Sequence, residues 1–283
     1  MHHRHIRLMG LAICAALAGG VFAARAQNRN FSVELVDPKA FRVCADPNNL
    51  PFSNEKGEGF ENKLAELFAA KLGKPVVYTF YPQATGFVRN TLGANRCDVI
   101  MNFPQGDDLA QPTNPYYRTA YALIFRPGTG FDDLVSLDDP RLKGKKIGAI
   151  ANTPPVTNLA INGLLPGLKS YALVVDTRFE SPTKELVKDV ESGAVDVGLL
   201  WGPIAGYYAR QSGGKLSLTP LVHEKGGPPM TYRMGLGVRH SDQEWKRQLN
   251  TIILQNQGEI NAVLQSYGVP LLDEQNKPLA RAK

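Results

Sequence analysis

A strand, a polar turn and an amphipathic helix that recur in the same order twice constrain this chain more than any other feature. Phe41 to Ala45 is a short apolar run that breaks into the proline-bearing turn Asp46-Pro47-Asn48-Asn49-Leu50-Pro51-Phe52. Gly59 then opens a helix pattern with Phe60, Leu64, Leu67, Phe68 and Leu72 at spacings of three and four, which puts them on one face. The pattern stops at Gly73, with Pro75 beyond it. Strand patterns follow at Val76 to Tyr81 and Asp98 to Phe103, giving a βαβαβ unit. A parallel sheet buried on both faces is the fold such alternation dictates, with ligands gathered at the carboxyl ends of the strands.

The second unit starts at Lys145 to Ala151, continues through a strand at Tyr171 to Val175, and ends at Asp196 to Leu200. Its helices begin at Pro154 and Pro182, with Thr153 and Ser181 as expected caps. In both halves an Asp-Val pair opens the last strand, at Asp98-Val99 and Asp196-Val197, so two similar lobes are expected. A Gly- and Pro-rich stretch over Thr219 to Met230 leads to a further strand at Met234 to Val238. Ser241-Asp242-Gln243-Glu244 reads as a capping box for a helix with Trp245, Leu249 and Ile252 on one face. Ile260, Val263, Leu264 and Tyr267 continue that pattern as core positions, and the polar tail from Asp273 to Lys283 is expected to fray.

The start of the chain reads as a secretory leader. Arg4 and Arg7 precede the apolar run Leu8 to Ala18, and Ala24-Arg25-Ala26 offers a small-x-small cleavage site before Gln27. Lipidation at Cys14 fits less well, because Ile13 is too large for the position before a lipidated cysteine. The domain layout expected is a signal peptide over 1–26, one lobe over 27–123 plus 232–283, and a second over 124–231. Loss of Arg4, Arg7 and Arg25 takes the formal charge of +6 down by three, to +3. The remaining chain has no basic run interleaved with aromatics, which speaks against nucleic acid. No later apolar run reaches the ~18 residues of a membrane helix. Localisation in the periplasm follows.

The mature chain keeps Cys44 and Cys97, and an even cysteine count in an oxidising compartment favours one disulfide over a redox or metal pair. The acidic pairs Asp107-Asp108, Asp132-Asp133 and Asp138-Asp139 lack the alternating spacing and closing glutamate of a calcium loop and read as loop and cap residues. No Gly-x-Ser-x-Gly elbow, His-Glu-x-x-His or evident nucleophile–base pair is present, so an enzyme is not expected, nor a metal or cofactor. Strand ends and helix starts place Asp46, Asn48, Asn49, Phe52, Phe60, Glu61, Asn102 and Phe103 on the first wall of a cleft. Phe52 and Phe60 have packing beneath the loop as the rival role. Asn152 and Thr153 stand at a helix start that suits an anion or a plain cap. Trp201 ends an apolar strand as a stacking floor or as lobe packing. Tyr116, Tyr117 and Arg118 precede the first expected crossing between lobes.

Arg42-Val43-Cys44-Ala45-Asp46, Pro51-Phe52, Gly59-Phe60-Glu61, Cys97-Asp98-Val99-Ile100, Pro115-Tyr116-Tyr117, Leu142 to Gly148 and Gly206-Tyr207-Tyr208 together resemble type II periplasmic solute-binding proteins over nearly the whole mature chain. The resemblance implies two α/β lobes, each an open, mostly parallel sheet flanked by helices, joined by two crossing segments with ligand in the cleft. Amino-acid receptors of that family hold the ligand carboxylate with an arginine after the fourth strand of the first lobe. Here that turn is Asn102-Phe103-Pro104-Gln105-Gly106-Asp107-Asp108. Their acid for the ligand ammonium follows the last strand of the second lobe, where this chain has Trp201-Gly202-Pro203. An ordinary amino-acid ligand is therefore not implied.

The run Cys44 to Asn54 with Asn95-Arg96-Cys97-Asp98-Val99 is most similar to the J proteins of methanol oxidation, of XoxJ and MxaJ type. That resemblance implies a monomeric periplasmic accessory that docks with a quinoprotein (PQQ-dependent) methanol or alcohol dehydrogenase, of the lanthanide type, and assists its maturation or activation, with the dehydrogenase's cytochrome c as a further partner. The alternative is a solute receptor that hands a small polar ligand to an ABC importer. A secreted enzyme built around an acid such as Glu61 is a remote third.

Overall fold

The computed structural model describes residues 34–173, 175 and 181–280. The expected leader at residues 1–26 lies outside the described residues.

In chain order the first half runs β1 (Phe41–Ala45), the small hairpin β2 (Asn48–Asn49) and β3 (Ser53–Asn54), α1 (Phe60–Leu72), β4 (Val76–Phe80), α2 (Phe87–Asn90) and β5 (Val99–Pro104). A short β6 (Gln111–Pro112) leads to the long strand β7 (Tyr117–Phe125). Then come β8 (Ile147–Ile150), α3 (Pro154–Ile161), β9 (Leu168–Tyr171), α4 (Pro182–Ser192), β10 (Val197–Trp201), α5 (Gly202–Gln211) and β11 (Ser217–Pro220). The chain closes with β12 (Thr231–Val238), α6 (Gln243–Gln255) and α7 (Gln257–Ser266).

The main sheet is a curled, open one in the order β4-β1-β5-β12-β7-β10-β8-β9, flanked by helices. Both ends are parallel, as the alternation predicts: β1 pairs with β4 and β5, and β8 with β10 and β9. The middle is antiparallel, because β12 and β7 enter from the opposite direction, so the sheet is mixed. β7 changes partner along its length, pairing with β12 through Tyr117 to Ala120 and with β10 from Tyr121 to Phe125.

Helix α1 forms as the sequence predicts. Gly59 stands at its N-cap because a Cβ there would come within 2.0 Å of the Phe52 carbonyl oxygen. The Asn62 side chain accepts from the amides of Gly59, at the N-cap, and of Asn54 in β3, both at 3.1 Å, which ties the helix start to the hairpin. Phe60, Leu64 and Phe68 are fully buried, and Gly73 ends the helix in the left-handed region at φ 65°. This face packs against Phe41, Trp245, Leu249, Ile260 and Leu264 in the largest core cluster.

Four expectations are corrected. Of the strand predicted over Tyr171 to Val175, Val174 lies outside the described residues, and the strand observed is Leu168–Tyr171, its register set by the four residues of β8, Ile147 to Ile150. The capping box at Ser241 and Glu244 does not form. Instead the Glu34 carboxylate accepts from the Glu244 amide at 2.5 Å and the Trp245 amide at 3.0 Å, capping α6 from 210 residues away. Thr153 stands at the N-cap of α3 but makes no cap bond, and its hydroxyl donates back to the Ile150 carbonyl at 2.6 Å. The tail does not fray over Asp273 to Ala280. Leu272 bridges Pro278, the Leu279 amide donates to Leu271, and Leu271 and Leu272 are buried.

Cys44 and Cys97 form a disulfide that closes a span of 53 residues, stabilising by about 4 kcal/mol on the loop-entropy account. Beside it lies the buried carboxylate of Asp98. It accepts from Arg42 Nε and Nη2 and from Arg239 Nη2, each at 2.7 Å, and from the Asp37 amide at 3.1 Å. Removing one member of a buried ion network strands the others, so Asp98→Ala should destabilise by roughly 3–5 kcal/mol. Lys71→Ala, which removes an exposed pair with Glu259, should cost about 1 kcal/mol or less. Urea unfolding of both variants checks the contrast.

Candidate functional site

A cavity of about 390 Å³ opens at the carboxyl ends of β5, β8 and β10. That end is where open α/β sheets present ligand sites, and the volume lies in their usual range of roughly 300–1,000 Å³. The β2–β3 hairpin supplies Asn49 and Phe52, β8 ends in Ile150, and β10 contributes Leu199, Leu200 and Trp201. Tyr121 comes from the middle of β7, and Tyr232 and Met234 from β12.

Three rings dominate the wall. Tyr121 and Trp201 meet edge to face with centroids 5.1 Å apart, Trp201 and Tyr232 at 5.5 Å, and Tyr121 and Tyr232 at 6.3 Å. Edge-to-face contacts of this kind hold rings in fixed orientations and add to the area they bury. Burial pushes the Tyr121 phenol up to about 12, with Tyr232 adding to the shift, so it stays neutral at physiological pH. No charged side chain is among the described residues that line the cavity.

Of the residues expected at the cleft, Asn49, Phe52, Thr153 and Trp201 line this cavity together. Phe60 is fully buried beneath them, its ring 5.3 Å from Phe52 and 6.0 Å from Tyr267. Phe103 is buried with Phe87 and the disulfide pair Cys44 and Cys97. Asp46 holds the loop: its carboxylate accepts from the Asn48 amide at 2.8 Å and the Gln83 amide at 2.6 Å. Gln83 also accepts from Asn49 Nδ2 at 3.0 Å. Asn48 is exposed in the β2 strand beside it. Asn152 is exposed with φ 58°, just ahead of α3. An anion site at α3 is disfavoured by the chain itself. Pro154 and Pro155 carry no N–H at the first two helical positions, and the Val156 amide donates to Thr153. Tyr121, Tyr232 and Met234 escaped sequence reasoning because they sit inside apolar strands, where core is the ordinary role. An aromatic in each of two crossing strands was the only signal for them.

Glu61 is buried in the first turn of α1. Burial pushes its carboxyl up to about 8 and the nearby Asp46 adds to the shift, while a hydrogen bond with Asn102 opposes it. Asn102 in turn accepts from the Tyr117 hydroxyl at 2.7 Å, and Tyr116 donates its hydroxyl to the Met101 carbonyl. Tyr116 and Tyr117 are therefore buried supports at the start of β7 and do not line the cavity. Elsewhere Asp133 and Asp139 pair with Arg141, and the Asp107 carboxylate accepts from the Leu109 amide. Among the described residues no group of three or more His, Cys, Asp or Glu converges on a metal-sized site.

A mixed α/β sheet with a cavity at its strand ends is the architecture of a binding protein. No protein-family model matches the chain. The crystal structure of the periplasmic binding protein XoxJ from Methylobacterium extorquens AM1 is 43% identical and superposes with a TM-score of 0.71, covering 83% of this chain and 100% of that one. Protein MoxJ of Methylorubrum extorquens is 27% identical over 94% of this chain and 93% of its own length. Protein MoxJ of Paracoccus denitrificans is 27% identical over 85% of this chain and 92% of its own. The chain belongs to the XoxJ-type periplasmic binding proteins. It is accordingly a protein of the periplasm, as its first residues led us to expect.

Glu61 supplies a pH test of the buried site. Its folded-state pKa lies above its ordinary value of 4.5, so the folded protein retains a proton the unfolded chain releases between pH 4.5 and about 8. Stability should therefore fall as pH rises through that window and level off above it. Glu61→Gln should lack this fall, matching the parent at pH 4.5 and exceeding it above pH 8, as read by chemical denaturation across the range.

Proposed function

We propose that this protein is a periplasmic accessory of methanol or alcohol oxidation that docks with a PQQ-dependent dehydrogenase and assists its maturation or activation. Membership of the XoxJ and MoxJ family supports the general accessory role. The finer reading takes the dehydrogenase to be of the lanthanide type, with its cytochrome c as a further contact. In this reading the chain works as two lobes, 27–123 with 232–283 and 124–231, and holds an uncharged segment of the dehydrogenase between them.

One observation carries the docking reading: the cavity wall is built of rings and aliphatic side chains, with no charged group among the described lining residues. Pro104 and Trp201 line the cavity, and they belong to the two turns where the resemblance implies an amino-acid receptor would carry its clamps. Against the described lining alone, a free amino acid or a carboxylate-bearing cofactor would leave water with its charges unpaired, a cost of several kcal/mol. An apolar stretch of protein meets no such cost. Asn49, Thr153 and Thr183 on the same wall are suited to hydrogen bonds with its peptide groups.

Native mass spectrometry of the mature protein, with and without the dehydrogenase, tests this reading. A monomer that gains the mass of the dehydrogenase is the expected result. A small stoichiometric adduct with no dehydrogenase complex would replace the accessory reading with a solute receptor serving an importer. Trp201→Ala combined with Tyr232→Ala should weaken the complex by roughly 30-fold or more, the usual effect of losing buried aromatic anchors. Titration calorimetry gives the ratio.

A further inference from the structure

We propose that the C-terminal segment from Gly268 to Ala280 is a strap that locks the angle between the two lobes, so that the cleft is held at one aperture and does not close on its occupant by hinge motion. The inference rests on the two-lobed division proposed above and goes beyond the accessory role.

The strap reaches each stretch of chain that passes between the two halves of the sheet. On β7 the Leu272 amide donates to the Arg118 carbonyl at 2.9 Å, and the Thr119 hydroxyl donates to the Pro270 carbonyl at 2.8 Å. These two residues lie just short of Ala120, after which β7 exchanges β12 for β10. The Arg118 guanidinium gives two hydrogen bonds to the Asn276 side-chain oxygen, at 2.8 and 2.6 Å, and a longer one to Thr231, where the return strand β12 begins. On the same strand Arg233 pairs with Glu274. Asn276 also shares a wall with Pro228, Met230 and Thr231 of the return segment.

The far side of the strap meets the helix that follows β10. A Cβ on Gly206 of α5 would fall 1.9 Å from the Gly268 carbonyl oxygen, and one on Gly202 would fall 2.9 Å from the Pro270 ring. The backbones are thus in direct contact, and only glycine permits the approach. Asn276 turns the strap back on itself at φ 63°, the left-handed conformation Asn tolerates better than most residues, and Leu271 and Leu272 are buried under it. Hinge closure absorbs its rotation in a few backbone torsions of the crossing segments. Here those segments are cross-linked by hydrogen bonds, two of them from a fixed guanidinium fork, and are wedged against α5. A rotation would have to break several of these contacts together.

Spin labels at the exposed positions Lys56→Cys and Lys188→Cys, one on each proposed lobe, report the aperture by pulsed electron resonance, with the native disulfide intact. The expected result is one narrow distance distribution, unchanged when the dehydrogenase is added, that broadens or splits in Arg118→Ala/Asn276→Ala or after removal of residues 273–283. If the double variant loses its cooperative melt, Asn276→Ala alone is read the same way. A distribution already broad or two-peaked before these changes overturns the strap while leaving two lobes standing. One that stays narrow in every strap variant overturns the strap and the lobed division together. Whether the dehydrogenase binds is decided by the mass spectra, so failure of the accessory reading is seen separately.

Discussion

A buried negative charge organises this protein. Asp98 stands at the foot of β5 with its carboxylate held by Arg42 from β1 and Arg239 from the chain leaving β12. Its carbonyl takes the indole N–H of Trp245 on α6 at 3.2 Å. Arg239 also donates to the carbonyl of Cys97, whose sulfur is bonded to Cys44 of β1. A carboxylate taken out of water is tolerated only when its lone pairs are filled, and each filling group here comes from a different part of the chain. Three stretches distant in sequence, around Arg42, Asp98 and Arg239 to Trp245, are pinned at one end of the sheet. The opposite, carboxyl end of the same strands remains to be shaped by loops, and the cavity lies there.

What fills that end is a matter of which side chains the crossing strands carry. β7 and β12 run antiparallel through the middle of the sheet and place Tyr121 and Tyr232 against Trp201 from β10. Together with the aliphatic side chains of β8 and β10 the rings give the described wall an apolar character. The described lining carries no charge, so on the reading proposed above an uncharged surface of matching shape would enter with little desolvation cost. Glu61 does not contradict this, because burial favours its neutral form and it lies behind the wall, bonded to Asn102.

Much of the framework was legible residue by residue. Phe41 to Ala45, the 3–4 spacing from Phe60 to Leu72 and the stop at Gly73 carry their structure locally, and the structure reproduces them. Cys44 and Cys97 were a pair by elimination and are one. The misses share a cause. Glu34 caps α6 across 210 residues, β9 takes its register from β8, and the tail is ordered by Arg118 and Leu271 in place of fraying. None of these has a signature in its own neighbourhood. The site was half legible for the same reason. Trp201 ends a strand and so announces a crevice, whereas Tyr121 and Tyr232 sit inside strands and look like core.

By itself the sequence determined the alternation of strands and helices, the disulfide partners and, by resemblance, the family, because each is written in residues a few positions apart or in a motif of set spacing. Only the tertiary structure decided that the parallel ends are joined through antiparallel crossing strands, that three rings from three strands meet around one cavity, and that the polar tail straps the crossing point. Those outcomes depend on which distant segments share a buried charge, a register or a close backbone approach, and such pairings exist only once the chain is folded.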